Sequence, residues 1–251
     1  MTLAGAGRRE IVTAPLDAVG WSHTYGNDGT LYYTSDCRRF RAIHSAGKAP
    51  GYEADYYGGG WRIGASPEPE AQDQWTARSS PHTPGEIIVS ILTQLSLFPT
   101  DPFQGDPRVW APPCDALDAL GWSSTTHHDE WALEERHVSP DGHSSFVHLD
   151  GDMALLDACA FLTGGRLLKP EPLWRIMFTE GVPDSVLNTA IQTLTSPTGA
   201  LRKASELPDK LGVDTLTAER PRFTTPTIQG PGTRIPRQLP HTTDYSSRNR
   251  G

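Results

Sequence analysis

The chain has 251 residues, with 22 Lys or Arg against 30 Asp or Glu and a formal charge of −8. Apolar residues at 36% and charged residues at 21% lie near globular averages, so a packed core is expected rather than a disordered chain. No apolar run approaches the roughly 20 residues that span a bilayer, and the three scattered cysteines Cys37, Cys114 and Cys159 indicate neither a zinc ribbon nor a disulfide framework.

No apolar segment follows Arg8 and Arg9, so no secretory leader is expected and a cytoplasmic location is the plain reading. The charge is uneven. Residues 200–251 carry nine basic against five acidic residues, +4, which leaves −12 for residues 1–199. Such a body repels phosphate at long range, so contact with nucleic acid needs a local basic patch or the tail.

In chain order, residues 9–14 read as a short strand that stops at Pro15, and residues 16–19 as one helical turn ended by Gly20. Residues 21–25, 30–34 and 39–43 have strand composition, with turn signals at residues 26–29 and 35–37. Residues 47–60 form a Gly/Tyr-rich loop. Residues 61–63 and 75–77 then make a hairpin joined by the Pro/Glu-rich stretch 66–74. A helix starts at Thr83, which caps it, with Pro84 in the first helical position and Glu86 completing a capping box. Ile87, Ile88, Ile91, Leu92 and Leu95 give it one apolar stripe.

The hexapeptide Leu16-Asp17-Ala18-Val19-Gly20-Trp21 returns as Leu117-Asp118-Ala119-Leu120-Gly121-Trp122, 101 residues later. At an offset of 99, Trp75, Pro84 and Leu95 map onto Trp174, Pro183 and Leu194, and the apolar stripe maps onto Val186, Leu187, Ala190, Ile191 and Leu194. A duplicated unit accounts for both. In the second copy, residues 109–111 stand where the first strand is expected. Residues 131–138 and 144–149 form strands about a Ser139-Pro140-Asp141-Gly142 turn, and residues 157–162 and 174–178 form the later hairpin. Beyond residue 196 prolines dominate; apart from one broken helix at residues 200–211, disorder is expected.

The same residues carry a resemblance to an actinobacterial family, domain of unknown function 317 (DUF317), frequent in Streptomyces and typically present as two tandem copies. The first copy is similar through Leu3-Ala4-Gly5, Val12, Pro15-Leu16, Gly20-Trp21-Ser22-His23, Ser35-Asp36, Trp61, Trp75, Thr83-Pro84 and Glu86-Ile87-Ile88. The second is similar through Gly121-Trp122, Ser139-Pro140-Asp141-Gly142, Trp174 and Pro183, so about residues 1–197 are covered. The first copy lacks the turn proline, and the second has no Trp matching Trp61 unless Phe161 replaces it. The resemblance implies a non-catalytic protein and a role in binding double-stranded DNA.

The expected fold is α+β: two tandem copies, each an antiparallel sheet of four or five strands with its C-terminal helix on one face, in a pseudo-two-fold arrangement. Residues 1–98 would be the first repeat domain, 99–113 a Pro-rich linker, 114–197 the second repeat domain and 198–251 a disordered tail. Candidate nucleic-acid contacts are Arg38, Arg39 and Arg41, with Arg39 and Arg41 on one side of a strand, and Arg202 and Lys203 in the tail. A charged edge strand explains the three body arginines equally well.

The seven tryptophans could stack bases. Core packing is the better account of Trp21, Trp75, Trp122 and Trp174, which are therefore read as structural. His137 and His143 could meet across their hairpin and bind a transition metal, but no zinc-motif spacing surrounds them, and surface histidines are the preferred account. Cys37, beside Arg38 and Arg39, has no base placed to activate it, and no lysine follows Gly58-Gly59-Gly60 as a phosphate loop requires. No catalytic residue, cofactor or metal site is expected. The expected partner is double-stranded DNA, or alternatively a protein or a second copy of the chain in a scaffold role; a membrane is not expected.

Overall fold

The computed structural model describes residues 9–45, 59–97, 112–128, 132–151, 158–165 and 172–196. Among these residues four helices and ten strands follow one another in an order that repeats. The first half runs α1 (Glu10–Ala18), β1 (Ser22–Tyr25), β2 (Leu31–Thr34), β3 (Phe40–His44), β4 (Trp61–Ala65), β5 (Trp75–Ser79) and α2 (Gly85–Leu97). The second runs α3 (Pro113–Ala119), β6 (Ser123–His128), β7 (Ala132–Val138), β8 (Ser144–Gly151), β9 (Ala158–Gly164), β10 (Trp174–Thr179) and α4 (Asp184–Thr195). The architecture is α+β with an antiparallel sheet. No helix among the described residues is long and apolar enough to cross a membrane.

The two expected sheets are one. Strand order is β1-β2-β3-β4-β5-β10-β9-β8-β7-β6, because β5 pairs antiparallel with β10. In that pairing Arg78 lies opposite Met177, with Ala77 opposite Phe178 and Ser79 opposite Ile176. At the offset of 99, Met177 is the counterpart of Arg78, so the register is that of a two-fold axis passing between them. The seam is closed at both ends by hydroxyls. The Thr76 N–H donates to Thr179 Oγ1 at 2.7 Å, and the Arg175 N–H donates to Ser80 Oγ at 3.0 Å.

Internal registers repeat as well. Leu31 opposite His44 in the first half corresponds to Glu135 opposite His148 in the second, an offset of 104. Two loop-length changes therefore separate the copies: three residues longer between the first two strands, five shorter between the third and fourth.

One sheet face carries the core. Leu31, Tyr33, Phe40, Ala42, Ile63, Ala77, Phe146, Leu162, Ile176 and Phe178 share a single buried cluster with Val12 and Leu16 of α1, Leu117 of α3 and the stripes of α2 and α4. The α2 stripe is at most 2% exposed, so each of its side chains contributes roughly 1.5–3 kcal/mol. Trp75 and Trp174 open the two central strands and are 1% exposed; Trp21 and Trp122 are buried too. Helix α2 packs on α1 and on α4, and α4 packs on α3, so the four helices form a row.

Three sequence expectations give way here. Residues 9–14 belong to a helix, not a strand: Val12 and Leu16, four apart, are the buried pair, and packing against α2 outweighs the β-branched content and the internal Pro15. Strand β6 escapes a sequence reading because Ser123-Ser124-Thr125-Thr126-His127-His128 lies at the sheet edge with every residue exposed, leaving no apolar alternation to read. Thr83 sends its hydroxyl across the seam to the Arg175 carbonyl at 3.2 Å, and α2 begins at Gly85. Of the expected linker only its last two residues are described, and Pro113 opens α3. The expected strand at 109–111, the helix at 200–211, most of the Gly/Tyr-rich loop and the tail at 198–251 lie outside the described residues.

The repeated hexapeptide is a helix terminator. Gly20 and Gly121 have φ of +84° and +76°. The Trp21 N–H reaches the Leu16 carbonyl and the Gly20 N–H reaches that of Asp17, and Trp122 and Gly121 repeat both bonds onto Leu117 and Asp118. This is a Schellman motif, whose accompanying apolar contact pairs the Trp with the Leu. A Cβ on either glycine would meet nothing within 4 Å, so substitution acts through the backbone alone. Gly20→Ala and Gly121→Ala should each lower stability by about 1 kcal/mol, read as a lower urea midpoint at unchanged m-value. An unmoved midpoint in both would refute the assignment.

Candidate functional site

The second face of the sheet carries no helix among the described residues, and alternation sends five arginines to it: Arg41, Arg62, Arg78, Arg136 and Arg175. Arg62 and Arg78 are directly opposite each other on β4 and β5. Like charges in that position are unfavourable unless an anion lies between or beside them. The counterparts of Arg62 and Arg78 in the second half are Phe161 and Met177. The positions held by Arg62 and Arg78 in the first half are thus apolar in the second, where Arg175 lies 5.5 Å over the Phe161 ring.

Residues 66–74, between β4 and β5, bring a carboxylate to this face. Asp73 sits 2.9 Å from Arg41 and 3.5 Å from Arg62, and the Ala71 carbonyl accepts from Arg41 as well. Gly64 makes this possible: a Cβ there would fall 2.5 Å from an Asp73 oxygen.

The sequence-derived arginines divide. Only Arg41 belongs to β3, which starts at Phe40; Arg38 and Arg39 lie in the turn before it. Arg38 pairs with Glu70 at 3.6 Å, both side chains being well exposed, and Arg39 Nε donates to the Ser66 carbonyl at 3.3 Å. All three therefore contact the 66–74 loop. Arg202 and Lys203 lie outside the described residues. Arg62, Arg78 and Arg175 escape a sequence reading because they are far apart along the chain and share a face only through strand pairing. The alternation of β4 and β5 is the one signal that could have found them.

The turn of the first copy corresponds to Ser139-Pro140-Asp141-Gly142 with Arg38 in place of Gly142, and Cys37 maps onto Asp141. Both turns close with the same bond, Arg38 N–H to the Ser35 carbonyl and Gly142 N–H to that of Ser139, both at 2.8 Å. Gly142 has φ +69° and Arg38 has φ +58°, a left-handed position occupied without a glycine. Phe161 does not replace Trp61: it faces the arginine side, and Ala160 holds the Trp61 position, opposite His148 as Trp61 is opposite His44.

The Asp of each hexapeptide reaches down to the sheet. Asp17 accepts from the Tyr33 hydroxyl at 2.9 Å, and Asp118 lies 3.3 Å from Nδ1 of His137, the residue equivalent to Tyr33. Burial and the adjacent Asp17 carboxylate push the Tyr33 phenol up to about 12. His137 is fully buried on the helix side, with Nε2 3.1 Å from Glu135. His143 stands in the turn, so the two histidines do not converge. Cys114, Glu135 and His148 do, their ligand atoms all lying within 4.8 Å of one another. Cys37 sits 3.3 Å from Ser35 Oγ.

At position 38 glycine should be more stable than alanine by about 1 kcal/mol, the reverse of the usual order. Urea unfolding of Arg38→Gly and Arg38→Ala checks this, and alanine equal or better would refute it. Gly64→Ala should displace Asp73 and lower stability by about 1–3 kcal/mol, a loss that Asp73→Ala in the same chain should partly relieve.

The family model for SPDY, a domain of unknown function (DUF317), matches residues 34–102. That stretch contains β3, β4, β5 and α2, including Arg62, Arg78 and the loop that holds Asp73. No curated protein and no solved structure matches the chain. The matched residues, which take in the arginine-bearing strands β4 and β5, are similar to the DUF317 family.

Proposed function

We propose that this protein is a non-catalytic binding module that takes a polyanion, with double-stranded DNA the preferred class, on the helix-free face of its sheet. The observation that carries the reading is the cationic centre of that face. Arg62 and Arg78 are directly opposed and Arg41 and Arg175 flank them, with Asp73 paired to Arg41 and Arg62. A bridging phosphate relieves the repulsion between opposed guanidiniums and uses their fork geometry. Arg62 remains 48% exposed despite its pair with Asp73, so a competing anion can reach it. The basic residues 202 and 203 of the +4 tail would add long-range attraction that the −12 body lacks.

A second reading, a protein scaffold, is favoured by a different feature. Strands β1 and β6 end the sheet on either side, and Tyr25 and Tyr32 beside the β1 edge are 60% and 41% exposed. An added strand could pair there.

Fluorescence anisotropy on a short duplex at about 50 mM salt, where counterion release helps most, separates the two. Binding is expected. The slope of log affinity against log salt should fall by about 0.9 for each phosphate that the protein ceases to neutralise, and so by about that much in Arg62→Ala/Arg78→Ala, which removes one bridged phosphate. Loss of binding on removal of residues 199–251, with no effect of the double substitution, would move the site to the tail. No binding by the intact chain would sink the reading. A partner protein whose capture survives the double substitution would favour the scaffold.

A further inference from the structure

We infer that Cys114, Glu135 and His148 form a binding site for one divalent transition metal ion of the zinc type, built in the second half of the fold alone. The three residues come from separate elements. Cys114 is the second residue of α3, Glu135 lies in β7, and His148 is its direct cross-strand partner in β8. Thiolate, carboxylate and imidazole are the donor set that zinc takes, three of them leaving a fourth position for water or another ligand.

The approach of helix and strand aligns these groups. Cys114 and Asp118 are four apart on α3, about 6 Å along its axis. Glu135 and His137 are two apart on one face of β7, about 6.6 Å. The matched spacings set Cys114 over Glu135 and Asp118 over His137. Asp118, 3.3 Å from His137, and His137, 3.1 Å from Glu135, form a chain that holds the Glu135 carboxylate from behind. Such an outer partner orients a metal ligand and fixes its charge.

Comparison of the halves points to a ligand independently. The counterparts of Cys114, Glu135 and His148 are Thr13, Leu31 and His44. Leu31 is fully buried core, and His44 packs on the Trp61 ring at 4.8 Å. In the second half a carboxylate replaces that leucine, a thiol replaces the threonine, and Ala160 stands opposite His148 in place of the tryptophan. Leucine to glutamate and tryptophan to alanine each weaken an apolar core, and the thiol adds a third donor beside them. On binding, the ligand atoms, within 4.8 Å of one another, draw in to bonds of about 2.0–2.3 Å.

The full chain titrated with Co²⁺ tests this. Saturation at one equivalent is expected, with a thiolate-to-cobalt charge-transfer absorption that Zn²⁺ displaces. Cys114→Ser should abolish the absorption and weaken Zn²⁺ by more than the roughly 10–100-fold that follows loss of an outer-shell partner. His148→Gln should also weaken Zn²⁺, while Cys37→Ser and Cys159→Ser leave both readouts unchanged. The metal-free unfolding midpoint of each variant shows that it folds. An absence of saturable uptake by the intact chain, or an absorption that persists in Cys114→Ser, would overturn the site.

Discussion

The antiparallel pairing of β5 with β10 is the constraint on which the rest of the molecule depends. It joins equivalent strands about a two-fold axis between Arg78 and Met177, turning two five-stranded sheets into one of ten. A copy of this size buries too little surface to be comfortably stable alone, and its last strand would end as an open edge. Pairing removes that edge in both copies at once. The same operation sets α2 against α4, so that two apolar stripes meet over the central strands and over Trp75 and Trp174. Ser80 and Thr179 saturate backbone donors where the ladder runs out, which fixes the length of the seam.

The two halves share what the fold needs and differ in the rest. The Schellman glycines, the buried Leu and Trp at each helix end, the approach of the aspartate to the second strand and the paired strand registers recur in both halves. On the helix-free face the copies diverge in charge: arginine at 62 and 78, phenylalanine and methionine at 161 and 177. Under α3 they diverge in the other direction, with glutamate and cysteine placed where the first half keeps leucine and threonine. Neither change disturbs a helix cap or a strand register. A repeated scaffold thereby carries different chemistry at equivalent positions of its two halves.

The 66–74 loop sets the availability of the first of these. It brings Glu70, Asp73 and two carbonyl oxygens to Arg38, Arg39 and Arg41, so the densest basic stretch in the body is largely answered by its own chain. The opposed pair Arg62 and Arg78 lies further into the sheet. A net charge of −8 and a local cationic centre are compatible because low-dielectric walls and strand pairing concentrate the field of a few guanidiniums.

Local chemistry is legible in the residues themselves. The repeat, the α2 and α4 stripes, most strands, the turn at Ser139 and the burial of the repeated tryptophans follow from periodicity and from residues with special backbone needs. Helix α1 reads as a strand because three β-branched residues and a proline mask an i, i+4 burial pattern only five residues long. Strand β6 is invisible because an edge exposed on both faces has no pattern. The sequence alone determined that a unit is duplicated, how its elements are ordered and where its helices end, since propensity, spacing and left-handed glycines act within a few residues. Only the tertiary structure decided that the two sheets are one, that Arg62 meets Arg78, and that Cys114 stands over Glu135. Those juxtapositions arise from strand register and from packing across 16 to 99 residues of chain, distances at which no local pattern carries information.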